Sequence, residues 1–220
     1  MGNRAVITDK ERTIGIYLHW NGGRPCVEAF LEYCRRTGQG CGLGYASSDY
    51  SLSLLIQVIR NALGGSVGVY PNPNADIDDN GLYEVEGWDI VGRYTTKWEG
   101  DECKEIPFPS NWEESAEGTM SEYLHWIDEK QPEQLRLGEL VDAELVLVED
   151  LKLGDEVYVN TCEGMKKFEI IGYGEDKTVN GYNRLGQPMI NQCCNGSPDN
   201  PNNYLGNYEK KYYRVSRSAE

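Results

Sequence analysis

Cys26 and His19 are the first residues of this chain whose types and placement suit covalent chemistry. Pro25 belongs at the first position of a helix, where its missing N–H costs nothing. Cys26 then falls in the first turn, and the partial positive charge there lowers a thiol pKa. His19 ends the strand-like run just before it. A thiolate beside an imidazole is the minimum for a nucleophilic enzyme, and a small enzyme using this pair is one reading of the chain. No oxyanion hole or orienting carboxylate is written nearby, and burial is the commoner fate of a small thiol. His125 is expected on the polar side of a helix.

Asp76-x-Asp78-x-Asn80-Gly81 matches the first half of a calcium loop, in which oxygen ligands alternate and glycine allows the bend. The twelfth position, where a glutamate should close the shell, is Gly87. A polar turn before a hairpin explains the same letters, so Asp76, Asp78 and Asn80 are weak metal candidates. Asn21-Gly22-Gly23-Arg24 opens a helix and offers free N–H groups to a phosphate, with Arg24 as partner. It lacks the lysine of a phosphate loop. No cofactor is implied.

Acid supplies the clearest signal. Residues 71–176 hold 28 Asp/Glu against 8 Lys/Arg, and the flanks are weakly basic, so the whole net charge of −15 arises in the middle. A concentrated field of one sign selects basic partners or cations and repels phosphate, so direct nucleic-acid binding is not expected there. Seven adjacent acid pairs mark the region: Asp78-Asp79, Asp101-Glu102, Glu113-Glu114, Asp128-Glu129, Glu149-Asp150, Asp155-Glu156 and Glu175-Asp176. The first six are the candidate partner-binding residues. Duplex DNA carries one charge per ~1.7 Å of axis, so an imitation of it needs many carboxylates along one ridge. A solvated face that aids solubility is the plainer alternative. The basic flanks, Arg4, Arg24, Arg35, Arg36 and Arg60 or Lys210, Lys211, Arg214 and Arg217 among Tyr208, Tyr212 and Tyr213, leave a stacking site for single strands as a further option.

The elements that would position these residues read as an α+β chain. Ala5–Thr8 and Ile14–Leu18 form a hairpin pattern. Val27, Phe30, Leu31 and Cys34 make the apolar stripe of a helix that Gly38 can end, and Leu52, Leu55, Ile59 and Leu63 repeat it before Gly64. Strands follow at 67–70, 81–86 and 88–94, the last two joined near Gly87. This ββααβββ order defines a first domain, 1–95. Residues 96–139 read as an acidic connection, irregular over 96–113, with one helix capped by Thr119 and Glu122. Short strands at 144–148, 155–160, 167–173 and 212–216 suggest a second domain, 140–220, a small barrel or curled antiparallel sheet.

Seven cysteines without C-x-x-C spacing argue for reduced thiols, and no apolar run is long enough for a membrane span. The N-terminal residues run straight into a strand pattern, so a cytosolic location is expected.

Gly2–Thr8 and the run 16–23 (Ile-Tyr-Leu-His-Trp-Asn-Gly-Gly), with Val27–Leu31, resemble uncharacterised acidic proteins of bacteriophages and integrative elements of Gram-positive bacteria. Similar stretches are 79–83, 153–158 and 202–204. The resemblance transfers no activity and no functional residue. It implies a setting, the bacterial host cell, in which small acidic accessory proteins include inhibitors of CRISPR nucleases and restriction enzymes. The expectation is therefore a non-enzymatic protein that binds a basic, nucleic-acid-handling host protein through its acidic middle. A Cys26/His19 enzyme and a plain structural or regulatory binding module are the alternatives.

Overall fold

The computed structural model describes residues 3–39, 42–44, 48–74, 79–109, 118–161, 164–174, 178–179, 182–183, 185–190, 205 and 211–215. The chain divides into two compact units, 1–138 and 139–220.

The first unit is a six-stranded sheet with three helices. Strands β1 (Ala5–Asp9) and β2 (Ile14–Leu18) form the expected hairpin, helices α1 (Arg24–Arg36) and α2 (Ser48–Leu63) follow, and β3 (Val67–Pro71) returns to the outer side of β2. Strand β4 (Leu82–Glu86) then pairs with β1 in parallel, Val6 opposite Leu82. Strands β5 (Asp89–Glu99) and β6 (Glu102–Pro107) complete the order β3-β2-β1-β4-β5-β6. Every other neighbour is antiparallel.

β1 lies inside the sheet, and Ala5, Val6, Ile7 and Thr8 are all buried. Side chains alternate across a strand, so Ala5 and Ile7 face the helices with Ile16, Leu18 and Tyr83, while Val6 faces the other way with Leu82, Tyr17 and Tyr94. Gly22 and Tyr83 fix the entry to α1. A Cβ on Gly22 would stand 2.6 Å from that of Ala5, and the Tyr83 hydroxyl donates to the Gly22 carbonyl at 3.0 Å. The expected stripe of α1 is buried, and so are Cys26, Ala29 and Tyr33. In α2 the buried face is Ser51, Leu55, Val58 and Ile59, so Leu52 and Leu63 sit at its margin.

Helix α3 (Met120–Lys130) carries the capping box: Thr119 Oγ1 accepts from the Glu122 N–H at 3.3 Å, and the Glu122 carboxylate accepts from the Thr119 N–H at 2.7 Å. It packs on α1 through buried Leu124 and Ile127. The fully buried Tyr33 ties the two helices, its hydroxyl donating to Asp128 Oδ1 at 2.7 Å.

Residues 96–107 correct the sequence reading. The expected irregular connection is the second half of β5, a turn at Gly100 (φ +66°) and β6. The strand signal is a buried apolar face in alternation, and this ribbon buries none, so its letters read as charged loop.

In the second unit β7 (Glu144–Leu147), β8 (Glu156–Thr161), β9 (Gly164–Tyr173), β12 (Pro188–Ile190) and β13 (Lys211–Arg214) form one antiparallel sheet, order β12-β9-β8-β13-β7. β10 (Thr178–Val179) and β11 (Tyr182–Asn183) pair separately. The larger sheet is open, so the barrel alternative is not realised. Val146, Leu151, Val157, Ile170, Ile190, Leu205 and Tyr212 build its core.

Tyr33→Phe leaves the ring in place and strips Asp128 of a buried donor. Urea unfolding should show a loss of about 1–3 kcal/mol. An unchanged midpoint would remove this link from the account of helix packing.

Candidate partner-binding surface

The twelve carboxylates expected to meet a partner divide into three groups. Asp78, Glu113 and Glu114 lie outside the described residues.

Asp79, Asp128 and Asp155 work inside the fold. Asp79 accepts from the Arg4 backbone N–H at 3.1 Å and from Arg4 Nε at 3.0 Å. Burial opposes its ionisation, but these bonds outweigh it and hold its carboxyl below the usual range. Asp128 takes the Tyr33 hydroxyl and, at 2.6 Å, the Leu137 N–H. Asp155 is buried, caps the Lys152 N–H at 2.8 Å and stands 3.5 Å from Arg214.

Asp101, Glu102, Glu129, Glu149, Asp150 and Glu156 are exposed. Glu102 lies 3.8 Å from Lys104 and Glu156 3.6 Å from Lys167.

Asp128-Glu129 and Asp155-Glu156 therefore do not act as doublets, whereas both members of Asp101-Glu102 and of Glu149-Asp150 are exposed. Consecutive residues point about 100° apart on a helix and to opposite faces on a strand. So Asp128 turns inward while Glu129 faces water, and Asp155 caps a turn while Glu156 opens β8 on the outside.

Basic residues of the N-terminal flank neutralise part of the acidic middle. Arg12, in the β1–β2 turn, spans two strands: its Nε donates to Glu84 Oε1 at 2.7 Å, and its two terminal nitrogens bind both oxygens of Glu105 at 2.7 and 2.8 Å. Its guanidinium also lies 5.0 Å from the centre of the Tyr94 ring. Glu105 and then Glu84 raise its pKa against the cost of burial. Lys10 meets Glu86 at 2.8 Å and Arg35 meets Asp89. At the other end of the chain, Arg214 meets Glu144 at 2.7 Å. The idea that basic flanks form a separate stacking site is corrected for Arg4, Arg35 and Arg214, which serve these pairs.

The Cys26/His19 pair is not assembled. Cys26 is 1% exposed, and desolvation pushes its thiol far above the ordinary range despite a hydrogen bond with Asn21. His19 is exposed on the sheet face away from the helices, its Nδ1 3.0 Å from the Tyr17 hydroxyl and its ring edge-on to Trp20. The helix-dipole effect is outweighed by the burial of the Cys26 side chain itself.

The calcium half-motif also resolves differently. Asp76 and Asp78 lie outside the described residues. The Asn80 carboxamide is buried, donating to Asn3 and accepting from Arg93 at 3.1 Å, so a guanidinium stands where a cation ligand was expected to point. Gly22 serves the packing of α1 on β1, the Gly23 carbonyl accepts from the Cys26 and Val27 N–H groups at 3.1 Å, and Arg24 is held by Glu28 at 2.7 Å. A cleft of about 300 Å³ beside α1 is walled by Trp88, by Arg24 with Glu28, and by Arg35 with Glu32.

No protein-family model matches the chain, and neither a curated protein nor a solved structure is similar to it. Among the described residues no helix is long and apolar enough to cross a membrane.

The thiols give a direct check. Mass-spectrometric mapping of iodoacetamide labelling in the folded protein should find exposed Cys103 modified early and buried Cys26 and Cys34 only as the chain unfolds. Rapid labelling of Cys26 below about pH 8 would restore the catalytic reading.

Proposed function

We propose that the chain is a non-enzymatic protein that binds a basic partner protein through the exposed carboxylates of its acidic middle. The observation that carries this reading is the exposure of Asp101, Glu102 and Glu129 on the first unit and, separately, of Glu149 and Asp150 on the second. Their field favours association with basic surfaces and speeds encounter more than it adds affinity. The internal pairs formed by Arg4, Arg12, Arg35 and Lys10 subtract from that field, so the binding surface is smaller than the charge count implies.

The resemblance to proteins of mobile elements makes a nuclease of a bacterial defence system the first partner to try, with inhibition as the consequence of occupying its nucleic-acid-binding surface. Long-range attraction of this kind is screened as the Debye length falls from about 10 Å at 0.1 M salt to about 3 Å at 1 M.

Immobilised protein should capture a nucleic-acid-handling enzyme from bacterial lysate at about 0.1 M NaCl and release it as salt approaches about 1 M. The double variant Asp101→Lys, Glu102→Lys should weaken capture with no change in thermal stability. Capture indifferent to salt and to this variant contradicts the proposal.

A further inference from the structure

β3 ends the six-stranded sheet on the side of β2. The His19 N–H donates to the Ser66 carbonyl at 3.1 Å, and the Asn72 N–H to the Thr13 carbonyl at 3.1 Å. Bonded and non-bonded pairs alternate along an antiparallel ladder. Tyr17 with Gly68 and Gly15 with Tyr70 therefore bond each other, while Val67, Val69 and Pro71 turn their backbones outward. Pro71 fits this phase, because the N–H it lacks would face away from β2. Among the described residues no hydrogen bond reaches the outward N–H or C=O of Val67 or Val69.

Among the described residues the chain runs away from this edge. Past β3, Pro73 packs over the face of the sheet, where a Cβ on Gly15 would stand 2.8 Å from it, and by Asp79 the chain has reached Arg4, just before β1. Val69, Tyr70 and Pro71 are exposed, Val69 at 53%. Native edge strands are commonly guarded by charge. This one is not: no residue from Asn61 to Ala75 is charged, in a chain where 26% of residues are.

Gly68 adds a second observation. Glycine weakens a strand interior, and it often marks the close approach of another backbone. Packing within the chain does not demand it: a Cβ there would come no nearer than 3.6 Å to another atom, and its φ is not left-handed. Antiparallel pairing with a second β3 about a two-fold axis at Gly68 sets Val67 of each copy opposite Val69 of the other, and each such pair exchanges both backbone bonds. The two Gly68 residues then meet as a non-bonded pair, whose Cα atoms approach to about 4.5 Å. The four valines cluster on the face shared with Ile16 and Leu18, and Tyr70 stands opposite Ser66 on the other face. Other axes lose bonds. Centred on Val69 the pairing opposes Val67 to Pro71, which has no N–H, and centred on Val67 it opposes Val69 to Gly65, outside the strand. A Lys/Arg-rich strand finds no carboxylate among residues 61–75, so charge favours the chain's own uncharged β3 as occupant.

We propose that two copies of the chain pair antiparallel through β3 about a two-fold axis at Gly68, which joins their six-stranded sheets edge to edge. Each copy carries a net charge of −15, so salt strengthens this contact, the opposite of its effect on capture of a basic partner.

Gly68→Cys tests the axis in the full chain carrying Cys103→Ser. The Cα spacing at the axis lies within the range of about 4.4–6.8 Å that a disulfide spans, so mild oxidation with diamide should cross-link two copies, with the bridged peptides identified by mass spectrometry. Ser66→Cys, whose two copies would stand about 13 Å apart along the strands, should cross-link at least about tenfold more slowly. Sedimentation of the unaltered chain should show a dimer that tightens as salt rises. Val69→Pro removes an N–H that bonds nothing within the described chain, and Val69→Lys sets a cation on the edge. Each should weaken the dimer at least about tenfold and leave the circular dichroism of the chain unchanged. A chain that stays monomeric up to about 1 mM in high salt overturns the proposal. So does a dimer that dissociates as salt rises, one that survives both Val69 variants, or equal cross-linking at Ser66 and Gly68.

Discussion

Arg12 carries three structural demands at once. Its backbone turns the β1–β2 hairpin with φ +52°, a left-handed conformation that costs a non-glycine residue about 1–2 kcal/mol, and its guanidinium joins Glu84 of β4 to Glu105 of β6. The bidentate bond to Glu105 is of the stronger, charge-assisted kind. Without it, two carboxylates facing the same side of the sheet lose the guanidinium they share, and β6 loses its Arg12 tie to the N-terminal hairpin. The parallel pairing of β1 with β4 makes this possible. It brings the start of β1 beside the start of β4, where Arg4 meets Asp79, and the end of β1 beside the acidic strands.

The same pairing sorts the acidic middle into carboxylates that hold the fold and carboxylates that face water. Asp79, Glu84, Asp89 and Glu105 are answered by cations from the first 36 residues, and Asp155 and Glu144 by Arg214. A charge sum by segment does not see this, because the neutralising residues are distant in sequence and adjacent in space. What is left for a partner is concentrated on surface turns and helix faces, and the proposed binding function draws on those positions.

The fold was legible wherever one face of an element is buried. The stripe from Val27 to Cys34, the β1–β2 hairpin and the Thr119–Glu122 cap are read from local letters, since burial period and capping chemistry act within a few residues. β6 was not legible, because a ribbon exposed on both faces leaves no alternation to find; Gly100 between Lys97-Trp98 and Cys103-Lys104 is the one cue, and it signals a turn without saying what flanks it. The candidate site was legible in composition and not in detail. Acid pairs announce charge, but whether Asp128 or Glu129 turns inward depends on Tyr33, 95 residues away. Cys26 misled for a related reason: its position in the first turn is local, and its burial is not.

The measurement closest to the centre of this account is a double-mutant cycle between Arg12 and Glu105, with Arg12→Met, Glu105→Gln and the pair followed by urea unfolding. If the clamp anchors β6, the two residues should show a coupling energy above about 1 kcal/mol, within the range for contacting partners in one network. Coupling near zero, with each single change as mild as an ordinary surface substitution, would contradict the claim that N-terminal cations organise the acidic sheet.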